Sequence, residues 1–276
     1  MTGGDRDPAP YVFGHSEVEL RRLAFQAALI EPVTRRLLVD AGVTSGMRVL
    51  DVGTGRGDVA FLVAELVGES GSVVGIDRAP EAVAVARERA EQASIANVSF
   101  VEGDPAELTL PAPFDAVVGR YVLQFQSDPS AMLRRLVSRL RPGGIVAFHE
   151  IDWTGYRSYP PVALWDRCCS LVVQAVEAGG ADTHSGSKLP STFAAAELAA
   201  PSMQMSAIVG AGANCGDAAQ RLAGIVATLT PAIEGRGLVE PGELDAETLA
   251  QRLIDDVTAS ASFVVASSEF TAWSRT

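Results

Sequence analysis

Val49-Leu50-Asp51-Val52-Gly53-Thr54-Gly55-Arg56-Gly57 is the stretch on which the fold turns. The short apolar run at its start reads as a buried strand. Glycines at the turn that follows permit positive φ and a close approach of backbone to ligand. A helical pattern over residues 58–67 comes next, so the N–H groups at its start face whatever the turn cradles. A dinucleotide fingerprint would need Gly-x-Gly-x-x-Gly. Gly53 and Gly55 fit that spacing, but the third position falls on Asp58, whose charge opposes a pyrophosphate.

Outward from this turn, strand and helix patterns alternate. Strands are expected over residues 47–52, 72–76, 98–101, 114–118 and 145–149, and helices over 58–67, 80–92 and 130–140. Arg141-Pro142-Gly143-Gly144 reads as the turn into the fifth strand. Upstream, an amphipathic helix is expected from Ser16, and Pro32 is expected to open a second one that carries Leu37 and Leu38 into the core. Downstream the rhythm changes. Helices are expected over 161–178, 217–229 and 245–257, a polar loop over 179–190, and two last strands over 203–209 and 262–273. The alternation implies an α/β fold with a doubly wound, mostly parallel sheet.

Composition bounds the function. Of 276 residues, 47% are hydrophobic and 20% charged, an ordinary globular mix able to bury a large core. Asp and Glu number 34 against 22 Lys and Arg, giving a formal charge of −12. That field repels phosphate backbones and anionic lipid, so neither nucleic acid nor a membrane is an expected partner. Lys188 is the single lysine, so Schiff-base chemistry has one carrier, in a polar loop. Cys168, Cys169 and Cys215 have neither metal-ligand spacing nor an even count, which suits a reducing, cytoplasmic setting. Residues 1–10 lack a basic-then-apolar leader pattern, and no apolar run nears the roughly 20 residues of a membrane helix. Oligomeric state stays open, a homodimer being allowed.

Two more acids follow strand ends. Asp77, 24 residues after Gly53, can accept hydrogen bonds from ribose hydroxyls. Asp104, in Glu102-Gly103-Asp104-Pro105, can accept from an adenine amino group while Gly103 leaves room for the ring. Three acidic loops at successive strand ends suit an adenosine without phosphate. His149 and Glu150 end the fifth strand and point to opposite faces. His149 is a candidate general base, its ordinary pKa lying near neutral.

Asp51-x-Gly53-x-Gly55-x-Gly57, Asp77, Gly103-Asp104 and Leu140-Arg141-Pro142-Gly143-Gly144 together resemble the successive motifs of class I S-adenosylmethionine (SAM)-dependent methyltransferases, over residues from about 33 to 152. The resemblance implies seven strands in the order 3-2-1-4-5-7-6, the last one antiparallel. It implies that Asp51, Gly53, Thr54 and Gly55 cradle the methionine part of SAM, and that Asp77 holds the ribose. Arg78, Gly103, Asp104 and Pro105 would surround the adenine. Arg120 would pair with the methionine carboxylate, and Tyr11 would close over the cofactor. Tyr121, Glu150 and Trp153 would line the acceptor side. The expected layout is an N-terminal arm and lid helix (1–34), a cofactor core (35–153), an acceptor lid (154–200) and C-terminal strands and helices that complete the sheet (201–276). The expected activity is in-line methyl transfer to a small, partly apolar metabolite, with S-adenosylhomocysteine as co-product. The same fold also admits a SAM-binding enzyme of non-methylating chemistry, such as cyclisation. An NAD-dependent oxidoreductase fits poorly because of Asp58.

Overall fold

A computed structural model of the chain describes residues 17–105 and 113–276. Its elements fall into two compact units. Of the described residues, one comprises 32–105, 113–150, 186–204 and 270–276; the other comprises 17–31, 151–185 and 205–269. Residues 186–204 therefore group with residues 32–150, whereas 151–185 and 205–269 group together.

The first unit is built on parallel strands. β1 (Arg48–Val52) lies between β2 (Ser72–Asp77) and β4 (Phe114–Arg120), β3 (Val98–Glu102) flanks β2, and β5 (Leu140–Asp152) flanks β4. β8 (Phe263–Arg275) lies beside β5, and Thr276 N donates to Gly144 O, so the chain's end runs against the start of β5. The helices α2 (Asp58–Val67), α3 (Pro80–Gln92) and α4 (Pro129–Val137) fill the crossovers. Strands buried on both faces need apolar side chains on both, and β1 shows this with Val49, Leu50 and Val52 inaccessible. On one face Val49, Ala116, Val118, Ile145 and Ala147 pack with α2, α3, Leu37 and Leu38. On the other, Leu50, Val117, Val146 and Phe148 pack with α4 and with Leu189 and Phe193.

The order β3-β2-β1-β4-β5-β8, with β7 (Ser202–Ala211) beside β8, reproduces the expected 3-2-1-4-5-7-6 when β7 and β8 take the sixth and seventh places. A short β6 (Arg157–Tyr159), antiparallel to β8 in the second unit, was not legible in the sequence. Three other elements differ from expectation. α1 (Glu17–Ala41) is one helix with Pro32 inside it; the lost backbone bond is offset by burial of Leu37, Leu38 and Ala41. Arg141-Pro142-Gly143-Gly144 is a bulge inside β5 rather than a turn before it, since one residue of β4 (Asp115) lies opposite four of β5 between the pairs Phe114–Leu140 and Ala116–Ile145. The loop expected to run to residue 190 gives way to α6 (Leu189–Ala195), anchored by buried Leu189 and Phe193.

The second unit packs α5 (Ala163–Ala178), α7 (Gly216–Gly235) and α8 (Leu249–Ala259). Arg221 of α7 and Glu269 of β8 form a fully buried ion pair at 3.0 Å, and Ser267 Oγ donates to the same carboxylate oxygen at 2.7 Å. Cys168 and Cys169 are buried on α5, and burial pushes the Cys168 thiol up to about 11, far from a reactive thiolate. No described helix is long and apolar enough to cross a membrane.

Candidate functional site

The glycine turn stands at the carboxyl end of β1, pinned by Thr54 N donating to Ile76 O at 2.9 Å. Gly53 has φ +64°, and a Cβ there would come within 2.6 Å of Val122 Cγ2. Gly55 has φ +53°, and a Cβ there would meet nothing within 4 Å. The turn is thus packed from behind at Gly53 and open at Gly55, as a ligand-facing loop must be.

Asp51 is buried at the foot of this turn. Thr54 Oγ1 donates to its Oδ2 at 2.6 Å, while Oδ1 has no hydrogen-bond partner among the described residues. Burial lifts the Asp51 carboxyl from 3.8 to about 7; the Thr54 bond and the Arg120 charge oppose this rise, and the charges of Asp77 and Asp58 add to it. A buried acceptor without a donor is costly, and a cationic ligand group would relieve it.

Asp77 joins two strand tips. Its Oδ2 accepts from Gly55 N at 2.8 Å and its Oδ1 from Ala79 N at 2.9 Å, so the expected ribose acid also fixes the glycine turn. Gly103 N donates to Asp77 O at 2.8 Å, bringing the tip of β3 alongside, with Pro105 buried behind it. Arg78 forms an exposed ion pair with Asp104 across these tips. Asp58 pairs with Arg89 at 2.8 Å, which reduces the charge that the sequence reading set against a pyrophosphate.

Arg120 and His149 are opposite one another in the β4–β5 register, and Asp51 is opposite Val118 in the β1–β4 register. Side chains two apart on a strand share a face, so Asp51, Arg120 and His149 all project toward the α1 side of the sheet. There Arg120 Nη1 donates to Thr34 Oγ1 at 3.2 Å, and Thr34 Oγ1 lies 3.0 Å from His149 Nδ1. His149, expected as a general base, is fully buried, with the Tyr121 ring edge-on at 5.5 Å. In this structure its Nδ1 side is engaged by Thr34 of α1. Thr34 was missed in the sequence, although a signal existed: it interrupts the buried stripe Ile30, Leu37, Leu38, Ala41.

Glu150 departs further from expectation. It faces the opposite side, fully buried; its Oε1 accepts from Val122 N (2.8 Å) and Leu123 N (2.9 Å), and its Oε2 from Gln124 N (3.4 Å). It caps the 3-10 turn Leu123–Phe125 and is not presented to an acceptor. Tyr121, just before this turn, is held at φ +58°, and its N donates to His149 O at 2.9 Å. Tyr11 lies outside the described residues. Trp153 belongs to the second unit, buried and stacked on Tyr156 at 6.2 Å, its N donating to Thr183 O. Beside it Asp152 Oδ1 accepts from Thr154 N and Oγ1, and Oδ2 lies 3.9 Å from His184 Nδ1. No His, Cys, Asp and Glu cluster suited to a metal occurs among the described residues.

Residues 43–189 match the sequence profile of a methyltransferase domain. Aklanonic acid methyltransferase DauC of a Streptomyces species is 40% identical over 118 residues, 42% of this chain and 54% of that protein. The 2-phytyl-1,4-naphtoquinone methyltransferase of Synechococcus elongatus is 39% identical over 119 residues, 42% of this chain and 49% of that one. The chain thus spans about half the length of these curated relatives. Among solved structures, the YcgJ protein of Bacillus subtilis shares the fold, with a TM-score of 0.55 at 19% identity over 88% of this chain and 98% of that one.

Proposed function

We propose, starting from the fact that this chain belongs to the methyltransferase-domain family, that it transfers a methyl group from SAM to a small fused-ring acceptor of quinone or polyketide type. The observation that carries most of the cofactor reading is the buried Asp51 Oδ1, which has no hydrogen-bond partner among the described residues, at the foot of a turn that is open at Gly55. A primary ammonium next to a thioether-linked adenosine satisfies that oxygen. When bound, SAM supplies an electrophilic methyl on a sulfonium; the acceptor atom forms the new bond as the C–S bond breaks, its electron pair staying on sulfur.

The chain's own residues bind and orient. Asp51 takes the ammonium, and Arg120, on the same face, takes the carboxylate in a charge-assisted hydrogen bond. Asp77 keeps lone pairs for the ribose hydroxyls, and Asp104, steadied by Arg78, accepts from the adenine amino group. Alignment and exclusion of water carry the rate, and an enol or phenol ionised before transfer needs no dedicated base. No proton transfer is assigned to His149, whose Nδ1 is engaged by Thr34, or to Glu150, whose carboxylate accepts from the amides of Val122 and Leu123.

The acceptor class rests on the names of the two curated relatives. The test is turnover with SAM and a panel of hydroxylated naphthoquinones and anthraquinones, following S-adenosylhomocysteine and methylated product together. Equal amounts of both support the reading. Acceptor converted without S-adenosylhomocysteine points to non-methylating chemistry, and no calorimetric heat with S-adenosylhomocysteine overturns the cofactor site itself.

A further inference from the structure

Thr34 is 2% exposed on the stripe of α1 that otherwise buries the apolar Ile30, Leu37, Leu38 and Ala41. Its hydroxyl instead accepts from Arg120 Nη1 and contacts His149 Nδ1. His149 is itself fully buried and packed edge-on against Tyr121, whose N donates to His149 O. The hydroxyl is therefore fixed from two sides, by the helix that bears it and by the imidazole.

We infer that Thr34 is a positioning residue, whose hydroxyl holds the Arg120 guanidinium in the pose that receives the carboxylate of the cofactor's amino-acid end. This rests on the assignment of Arg120 made above. A long arginine side chain loses rotamer freedom when it grips a ligand, and a partner that already holds it lessens that loss. A neutral hydroxyl suits the task better than an acid. It directs one N–H of the guanidinium without cancelling the charge, and leaves the other donors for a bidentate or charge-assisted contact. Asp51, on the same face, stays matched to the ammonium, so the two ends of a zwitterion meet opposite charges at separate points.

The experiment measures binding of S-adenosylhomocysteine and of its decarboxylated analogue, which keeps the ammonium, thioether and adenosine, to the full chain and to Thr34→Val, Thr34→Ser and Arg120→Ala. Thr34→Val removes the hydroxyl at nearly constant volume and is expected to weaken S-adenosylhomocysteine about tenfold, the usual value of one hydrogen bond involving a charged group. Binding of the decarboxylated analogue is expected to stay within twofold of the parent, and Thr34→Ser is expected to restore the loss. Comparing two ligands on one preparation separates positioning from misfolding. If both ligands weaken alike, or if serine is no better than valine, Thr34 merely packs and the inference falls. A normal affinity of Thr34→Val alongside a weak Arg120→Ala also overturns it while sparing Arg120. Unchanged binding by Arg120→Ala removes the carboxylate assignment, and the inference with it.

Discussion

Replacing Asp51 by asparagine should make the ligand-free protein more stable and, at the same time, unable to hold its cofactor. The carboxyl is raised from 3.8 to about 7, chiefly by burial. About three units at 1.36 kcal/mol each amount to roughly 4 kcal/mol as an upper bound on the cost of ionising it in the fold. The sign follows from proton uptake. Between pH 3.8 and about 7 the native state holds a proton that the unfolded chain has released, so stability contributed at this position is complete in acid and declines as pH rises through 7. Other carboxyls, Asp128 for one, are lowered and act in the opposite direction, so the informative quantity is the variant-minus-parent difference. In urea titrations of ligand-free protein, Asp51→Asn should gain about 2–4 kcal/mol at pH 8, and the gain should fade toward pH 4. Binding has the mirror-image dependence. An ammonium pairs with the ionised carboxylate, so the S-adenosylhomocysteine Kd should be flat above pH 7 and rise up to about tenfold per unit below it. A parent Kd that stays constant from pH 5.5 to 8.5, or an asparagine variant no more stable than the parent at pH 8, refutes the reasoning.

Three further outcomes follow from packing and polar satisfaction. Gly53→Ala drives a Cβ to 2.6 Å from Val122 at positive φ and should cost about 2–3 kcal/mol in urea, whereas Gly55→Ala, with open space around it, should cost about 1 kcal/mol yet weaken S-adenosylhomocysteine more than its stability loss explains. Glu150→Gln leaves one amide N–H of the 3-10 turn facing an NH2 group and should lower unfolding free energy by about 2–3 kcal/mol, read as a shift of the urea midpoint. Arg221→Met alone should destabilise by about 3–5 kcal/mol by stranding Glu269, and Arg221→Met with Glu269→Leu should recover most of it.

The strand–turn–helix core of this molecule was legible because its signals are local. A strand followed by glycines and then a helix announces itself within ten residues, and Asp51, Asp77 and Asp104 each sit at a strand end that hydrophobic periodicity locates. What escaped depends on distant partners. Thr34 shows in the sequence only as a polar break in an apolar helical stripe, and its role emerges once α1 is seen over His149, 115 residues away. Glu150 looks like a pocket acid because a strand end suggests exposure, and only the chain after β4 shows that three amides claim it. The bulge in β5 mimics a turn, since Pro142 and the two glycines suit either. Beyond Trp153 the periodicity gave most helices correctly, but β6 is three residues long, too short for any alternation to register.

The extra residues looped out at Arg141-Pro142-Gly143-Gly144 act as a ratchet on the neighbouring strand. With them lodged between Leu140 and Ile145, β5 has a single seating against β4, and that seating alone puts an imidazole across from a guanidinium. Slippage by one notch would exchange His149 for Glu150, turning a carboxylate toward α1 and an imidazole toward the 3-10 turn, and would reverse the polarity of both sides of the sheet. A kink at the strand's entrance, some 20 Å from its far end at about 3.3 Å per residue, thus dictates the charge layout at the exit.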